Sequence, residues 1–244
     1  MSATVLQLKP YDNLDRHDGL ASSVPELTAA YRDASAEDVL RAVLIDNVVG
    51  DIALVSSFGA ESVVLLHLAA QIRDDVPVIF LETGKHFAQT ISYRRKLINR
   101  LGLTNNIEVK PTQSALEQAD PDGGLWRRDT NACCNMRKVH PLRHELAGYD
   151  AWITGRKQFQ GGARLRLPFF EEAATHIKVN PLARWSPEDV AAYMTEHDLP
   201  QHPLVAHGFP SIGCWPCTYP VADDEDARAG RWRGQAKTEC GIHL

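Results

Sequence analysis

Five cysteines carry the chemistry most open to reading in this chain: a vicinal pair, Cys133 and Cys134, a Cys-x-x-Cys, Cys214 and Cys217, and a solitary Cys240 near the C-terminus. Four thiolates in two clustered pairs suffice to wrap one metal centre, and both zinc and iron–sulfur clusters accept such donors. Zinc sites built from cysteine usually space each pair by two residues. An adjacent pair therefore favours a cluster, with zinc and buried free thiols as the alternatives. A disulfide between Cys133 and Cys134 would close a strained ring. Cys240 stands apart in Glu239-Cys240-Gly241-Ile242-His243, where a thiolate beside cationic groups would act as a nucleophile.

Basic residues gather around these cysteines although the 244-residue chain has a formal net charge of −5. Arg127, Arg128, Arg137, Lys138 and Arg143 surround the first pair; Arg156, Lys157, Arg164 and Arg166 follow; Arg228, Arg231, Arg233 and Lys237 precede Cys240. Local positive clusters in an acidic chain suit a small anionic ligand. The overall balance argues against nucleic-acid and membrane-surface partners. The first twenty residues carry Lys9, Asp12, Asp15, Arg16 and Asp18 and no apolar run, and no span of membrane length follows. A cytoplasmic protein is expected, in a reducing setting that keeps thiols available.

The elements that must position these groups alternate in the rhythm of an α/β fold with a parallel sheet. Strands are predicted over residues 51–57, 76–81, 107–110 and 151–154. Helices are predicted after the first strand, from about Phe87 to Arg100, from Met136 to Leu146 just beyond the vicinal cysteines, and from Ser186, a cap followed by Pro187, Glu188 and Asp189, to near His197. From Gly208 onward the Pro- and Gly-rich text predicts a loop and a largely mobile tail. One doubly wound, mostly parallel domain is expected over residues 41–207, preceded by a helical extension over 1–40 and followed by a functional tail over 208–244. Ligands of such sheets bind beyond the carboxyl ends of the strands. There the chain offers Ser56-Ser57-Phe58-Gly59-Ala60-Glu61-Ser62, Leu81-Glu82-Thr83-Gly84-Lys85 and residues 154–164. The first joins a strand to a helix with small residues that let backbone N–H groups approach an anion. It lacks the Gly-Lys-Ser/Thr ending of a Walker A loop.

That loop resembles the Ser-Gly-Gly-x-Asp-Ser loop of the PP-loop nucleotide-binding superfamily. Together with Leu-Glu-Thr-Gly, the cysteine pattern and the Glu-Cys-Gly-Ile-His ending, it makes the chain similar, from about Ser56 to His243, to the assimilatory adenylyl-sulfate reductases of the phosphoadenylyl-sulfate reductase family. The resemblance implies a PP-loop adenine-nucleotide fold and reduction of adenosine 5′-phosphosulfate to sulfite and AMP, through an S-sulfocysteine on Cys240 and with thioredoxin as reductant. It implies a [4Fe-4S] cluster on Cys133, Cys134, Cys214 and Cys217, with Lys138 between cluster and substrate. Arg164, Arg228 and Arg231 would take the phosphosulfate, Ser57, Gly59, Glu82, Thr83 and Gly84 the nucleoside, and His243 would join Cys240 and Lys138 in the catalytic set. The alternative role for Glu82 is to cap the helix entered at His86. Relatives commonly form homo-oligomers. A reductase for the 3′-phosphorylated nucleotide is the nearest alternative, though such enzymes generally lack the paired cysteines; some cluster-bearing relatives accept both nucleotides. An ATP pyrophosphatase of the tRNA-thiolation kind would keep the loop that Phe58 and Ala60 interrupt. His67 and Trp185 read as packing residues, and Trp215 as a shield over the metal centre.

Overall fold

Strand β1 (Ile52–Val55) is the centre of the fold in this computed structural model, which describes residues 23–243. Its side chains alternate between faces, as the two-residue period of a strand requires. Ile52 and Leu54 enter one apolar cluster, and Ala53 and Val55 another. Parallel β2 (Val78–Leu81) and β3 (Asn106–Val109) extend the sheet on one side. On the other side lie parallel β4 (Ala151–Ile153) and β6 (His176–Val179), then antiparallel β5 (Phe170–Ala173) at the edge. The resulting order is β3-β2-β1-β4-β6-β5. The chain winds away from β1 toward β3, then returns to its opposite side at β4. That reversal opens a crevice at the carboxyl ends of β1 and β4.

Two layers of helix cover the sheet. The larger apolar cluster joins α2 (Ala36–Leu44), α3 (Ser62–Ile72), α4 (Ala88–Leu101) and α9 (Pro187–Glu196) to one face. Helix α3 is apolar on most sides and buries Val63, Val64, Leu65, Leu66 and Leu68, each worth about 1.5–3 kcal/mol on removal from water. A preceding helix, α1 (Val24–Ala30), contributes Leu27. Residues 1–22 of the expected N-terminal extension lie outside the described residues, and its boundary at residue 40 falls inside α2.

The other face is covered more thinly. Helices α5 (Gln113–Ala119) and α6 (Leu125–Arg128) lead into α7 (Thr130–Cys134), a π-helical turn (Asn135–Val139) and α8 (His140–Leu146). Leu142 and Leu146 pack there on Ala53, Ile79, Leu81 and Trp152, and Ile242 of the tail packs against the same group. The segment from residue 208 is therefore docked on the sheet, where the sequence predicted a largely mobile tail. The vicinal cysteines also lie within a helix instead of ahead of one. Asp129 caps α7, its Oδ1 accepting the Ala132 N–H at 2.8 Å, so the helix starts before them. Pro141 has no N–H to donate back to Arg137, which favours the wider π register between the two α segments. The β5–β6 hairpin escaped prediction because Glu171-Glu172-Ala173-Ala174 has little strand propensity. Pairing of Phe170 with Val179 at the sheet edge imposes the extended form.

His202 ties α4 to the chain after α9. Its Nδ1 accepts the Leu204 N–H at 3.2 Å, leaving Nε2 to donate to Thr90 Oγ1 at 3.0 Å, while Tyr93 donates to the Pro200 carbonyl at 2.6 Å. Burial pushes the pKa of His202 down to about 4 from an ordinary 6.5. Below pH 6.5 the unfolded chain takes up a proton that the folded one refuses. Stability from this site is thus complete above pH 6.5 and declines as pH falls toward 4. The urea midpoint should drop across that interval, and His202→Asn, less stable at neutral pH, should show a shallower decline.

Candidate active site

The crevice between β1 and β4 is a cleft of about 240 Å³. Its floor is the loop from β1 to α3. Phe58 adopts a left-handed backbone, φ 49°, and turns its fully buried ring down onto Phe80, edge to face at 5.6 Å. This leaves Ser57 and Gly59 on the cleft wall. A Cβ on Gly59 would come within 3.3 Å of Ser57 Oγ and 3.4 Å of the Ile212 carbonyl, so glycine is what allows the 210–213 segment to close on the loop. The helix that follows directs its N-terminus at the cleft, a favourable field for an anion.

Cationic groups converge from separate elements. Lys138 comes from the π turn, Arg164 from a short 3-10 turn at Gly162–Arg164, and Arg228 and Arg231 from the tail; all four line the cleft together with Cys240 and His243. Arg164 and Arg228 share one carboxylate, Glu239, which Arg164 holds at 2.7 Å through Nε and 2.8 Å through Nη2. Among the described residues Lys138 and Arg231 have no carboxylate partner, and Arg231 Nε is buried without any hydrogen-bond acceptor. Burial disfavours the charged form of Lys138, whereas thiolate charge on Cys214, Cys240 and Cys134 would outweigh that and raise its pKa.

The tail ends in a neutral imidazole. His243 stacks on Trp152 with ring centroids 5.6 Å apart and planes 7° from parallel, and its carbonyl accepts from Lys178 Nζ at 3.1 Å. Burial, then the charges of Arg156, Arg164, Lys178 and Arg228, push its pKa well below the ordinary range. His243, expected in the catalytic set with Cys240 and Lys138, therefore adds no positive charge beside the thiol in the folded protein. Its enclosed Nδ1 has no partner among the described residues.

Cys133, Cys134, Cys214 and Cys217 are all buried and none forms a disulfide. The Cys214–Cys217 turn is held from three sides. Trp215 N–H donates to the Lys85 carbonyl at 2.8 Å, Thr218 Oγ1 donates to the Cys214 carbonyl at 2.9 Å, and Trp232 N–H donates to the Cys217 carbonyl at 3.1 Å. Burial and the neighbouring thiols push Cys133 and Cys217 up to about 11 and raise Cys134 as well. As thiolates these four would repel one another, and a bound metal group would reverse that cost. No three Cys, His, Asp or Glu side chains among the described residues are grouped tightly enough to share a single ion. A lone tetrahedral ion needs sulfurs about 3.8 Å apart, from bonds of about 2.3 Å. Four buried cysteines are donors of a type that both zinc and iron–sulfur clusters accept.

The Leu81–Lys85 segment is occupied differently from expectation. Thr83 is fully buried, with Oγ1 3.4 Å from Cys214 Sγ and accepting the Lys85 N–H at 3.2 Å. Glu82 accepts the Gly84 N–H at 2.7 Å, closing its own turn; α4 begins only at Ala88. The side chains of Glu82 and Thr83 thus face away from the cleft, which Leu81 and His86 line instead. Trp215 stands 45% exposed, edge to face with Trp126, so it covers the Cys214–Cys217 turn only in part. His67 bonds Tyr193 at 2.8 Å and Trp185 packs on the same ring, as packing residues do.

Sequence reasoning missed the polar chain beneath the floor. Buried Lys157 donates to Glu61 at 2.9 Å, Gln160 Nε2 donates to Glu61 at 3.2 Å, and Gln160 Oε1 accepts from Arg164. A carboxylate within an anion-binding loop, as Glu61 is, was the available signal, since it requires a cationic partner. Arg137 was likewise misplaced among ligand-binding cations: it is buried, donating to the Thr83 carbonyl and to Asp120 at 2.5 Å.

Fold and site together define a nucleotide-type α/β enzyme with a thiol brought to a cationic cleft. Residues 51–220 match the phosphoadenosine phosphosulfate reductase domain. The chain is 49% identical to the adenosine 5′-phosphosulfate reductase of Mesorhizobium japonicum, over 97% of this chain and 93% of that protein, and 42% identical to adenosine 5′-phosphosulfate reductase 1 of Bacillus subtilis, over 77% and 82%. Among solved structures, phosphoadenylyl-sulfate reductase from Candida auris superposes with a TM-score of 0.68 at 29% identity, covering 80% of this chain and 96% of that one. Candida glabrata FMN adenylyltransferase, at 16% identity and a TM-score of 0.54 over 83% and 74%, shares the fold alone. The chain belongs to the phosphoadenosine phosphosulfate reductase family, and is an oxidoreductase acting on sulfur.

Arg137→Ala should strand the fully buried Asp120 carboxylate, costing about 3–5 kcal/mol in chemical denaturation.

Proposed function

We propose that this enzyme reduces adenosine 5′-phosphosulfate to sulfite and AMP in sulfate assimilation, with thioredoxin as the electron donor. The observation that carries this reading is the placement of Cys240 in one cleft with Lys138, Arg164, Arg228 and Arg231 at the carboxyl edge of the sheet. The names of the relatives point to the same substrate. The adenosine would lie along the β1–α3 loop by Ser57 and Gly59, with the Glu82-Thr83-Gly84 segment as the neighbouring part of its seat. The guanidinium groups would take the phosphosulfate oxygens.

In the first step the Cys240 thiolate attacks the sulfur of the phosphosulfate. A sulfur–sulfur bond forms, the bond from sulfur to the phosphate oxygen breaks, and AMP departs with the electron pair. Cys240 is left as an S-sulfocysteine. A thiolate of thioredoxin then attacks Cys240 Sγ and sulfite leaves with the bonding pair. The second thioredoxin thiol resolves the mixed disulfide. Sulfur(VI) becomes sulfur(IV), one dithiol becomes one disulfide, and two protons are released. Lys138 and Arg231, without carboxylate partners among the described residues, are suited to hold the sulfonate oxygens during the attack.

Cys133, Cys134, Cys214 and Cys217 would hold a [4Fe-4S] cluster. When bound it would supply fixed charge beside the substrate. Lys138, which follows the vicinal cysteines in the π turn and lines the cleft, would balance that charge against the anion. The same four cysteines favour adenosine 5′-phosphosulfate over its 3′-phosphorylated form; turnover on the two nucleotides tests that preference, and faster turnover of the 3′-phosphate would reverse it.

Cys240→Ser should still bind nucleotide and retain iron while releasing no sulfite and showing no sulfonate adduct by intact mass. Normal turnover by this variant would remove the nucleophile from the scheme. Cys214→Ala should purify with iron and sulfide contents well below those of the unaltered protein and without its visible absorption.

A further inference from the structure

The Nε–Nη2 edge of Arg164 is occupied in the folded protein. Its Nε and Nη2 hold the two oxygens of Glu239 at 2.7 and 2.8 Å, and Nη1 donates to Gln160. Arg228 is committed to the same stretch of chain, with Nη2 on the Thr238 carbonyl at 2.8 Å and 3.4 Å from Glu239. An incoming anion can therefore take that two-donor edge of Arg164 only by replacing the Glu239 carboxylate, which has the same charge sign and the same two-oxygen geometry as the edge of a phosphate or sulfate. All three side chains are largely enclosed, at 9%, 14% and 18% exposure, so none can lose its counter-charge without another taking its place.

We infer that Glu239 is an internal placeholder for the substrate's anion, exchanged for the phosphosulfate at the Arg164–Arg228 seat, and that this exchange releases the adjoining nucleophile from its resting position. The inference rests on the proposed substrate. Glu239 is a positioning residue: it acts on the reaction through Cys240, its immediate neighbour. Beyond Cys240 the tail keeps a second anchorage that the exchange does not touch, because Ile242 is packed on the smaller core and His243 is stacked on Trp152 and bonded by Lys178. Gly241 lies between the two anchors at φ 90°, with Val139 only 3.3 Å from where a Cβ would sit. Cys240 is thus carried on a strap with one fixed end and one exchangeable end, able to turn toward a bound sulfur without leaving the site.

The test uses the full chain with its metal centre, in two arms. Without nucleotide, alkylation of Cys240 by iodoacetamide, followed by mass spectrometry of the C-terminal peptide, should be faster in Glu239→Gln and Arg164→Gln than in the unaltered protein, and no faster in the double variant than in either single one. Glu239→Asp, which keeps the charge, should remain close to unaltered. In a Cys240→Ser background, calorimetry with adenosine 5′-phosphosulfate should give a Kd about tenfold lower for Glu239→Gln, corresponding to a seat occupied by Glu239 about nine-tenths of the time. An unchanged or higher Kd in that variant, or equal alkylation rates across the series, overturns the exchange alone. Failure of every variant, and of the unaltered sequence, to bind this nucleotide would instead remove the proposed substrate and the exchange with it.

Discussion

Unbalanced positive charge is the constraint around which the site is organised. Lys138, Arg156, Lys157, Arg164, Arg228 and Arg231 all line the cleft, against the carboxylates of Glu61, Asp226 and Glu239, in a chain whose formal net charge is −5. Buried or half-buried cations need counter-charges close at hand, because the surrounding protein screens them poorly. Three pairings meet that need with residues of the chain itself: Glu61 serves Lys157 under the β1–α3 loop, Glu171 serves Arg156, and Glu239 serves Arg164 and Arg228 at the tail. Gln160 bridges the first and the last, so the nucleotide-type loop and the segment bearing Cys240 belong to one polar network. Burial, reinforced by the same excess of cations, keeps His243 neutral.

The tail is part of the architecture as well as its chemistry. The side of the sheet away from α3 has little helical cover, and Ile242 completes it alongside Leu142 and Leu146. A thiol two residues from a packed side chain is delivered by the folding of the core, which gives it a defined starting position at low entropic cost. Between the sheet and the tail stand the four buried cysteines. One pair comes from a helix that continues through a π turn, and the other from a 3-10 turn (Trp215–Cys217) tied to the β2–α4 connection. A group bound by all four would link these segments, and the Thr83 contact with Cys214 would report its presence to the cleft wall.

Much of this was legible in the chain before any fold was known. The parallel strands around β1 announced themselves as β-branched runs, and Ser186-Pro187-Glu188-Asp189 marked the start of α9 because a capping side chain and a proline act locally. The division of the cysteines into two pairs and a solitary one was legible too, because residue type and motif are also local. The edge hairpin was hidden because its extended form comes from pairing with β6, a partner remote from its own composition. The docked tail was hidden for the same reason: Pro, Gly and charge describe a loop, and only the apolar patch left open by α8 turns Ile242 and His243 into packed, half-buried residues.

What the sequence determined by itself was the kind of chemistry available: thiols in a quartet and a singlet, a strand–helix loop suited to an anion, and enough cations to receive one. Which cations remain available was decided only by the tertiary structure. Arg137, Arg164 and Lys157 look alike in the sequence. In the fold the first neutralises Asp120, the second is held by Glu239 and the third by Glu61, while Lys138 and Arg231 are without a carboxylate partner among the described residues. The distinction is one of distance, because a charge is satisfied by whatever lies within a few ångströms of it, and neighbours 75 or 96 positions away in the chain are set by the packing of the sheet and not by local spacing.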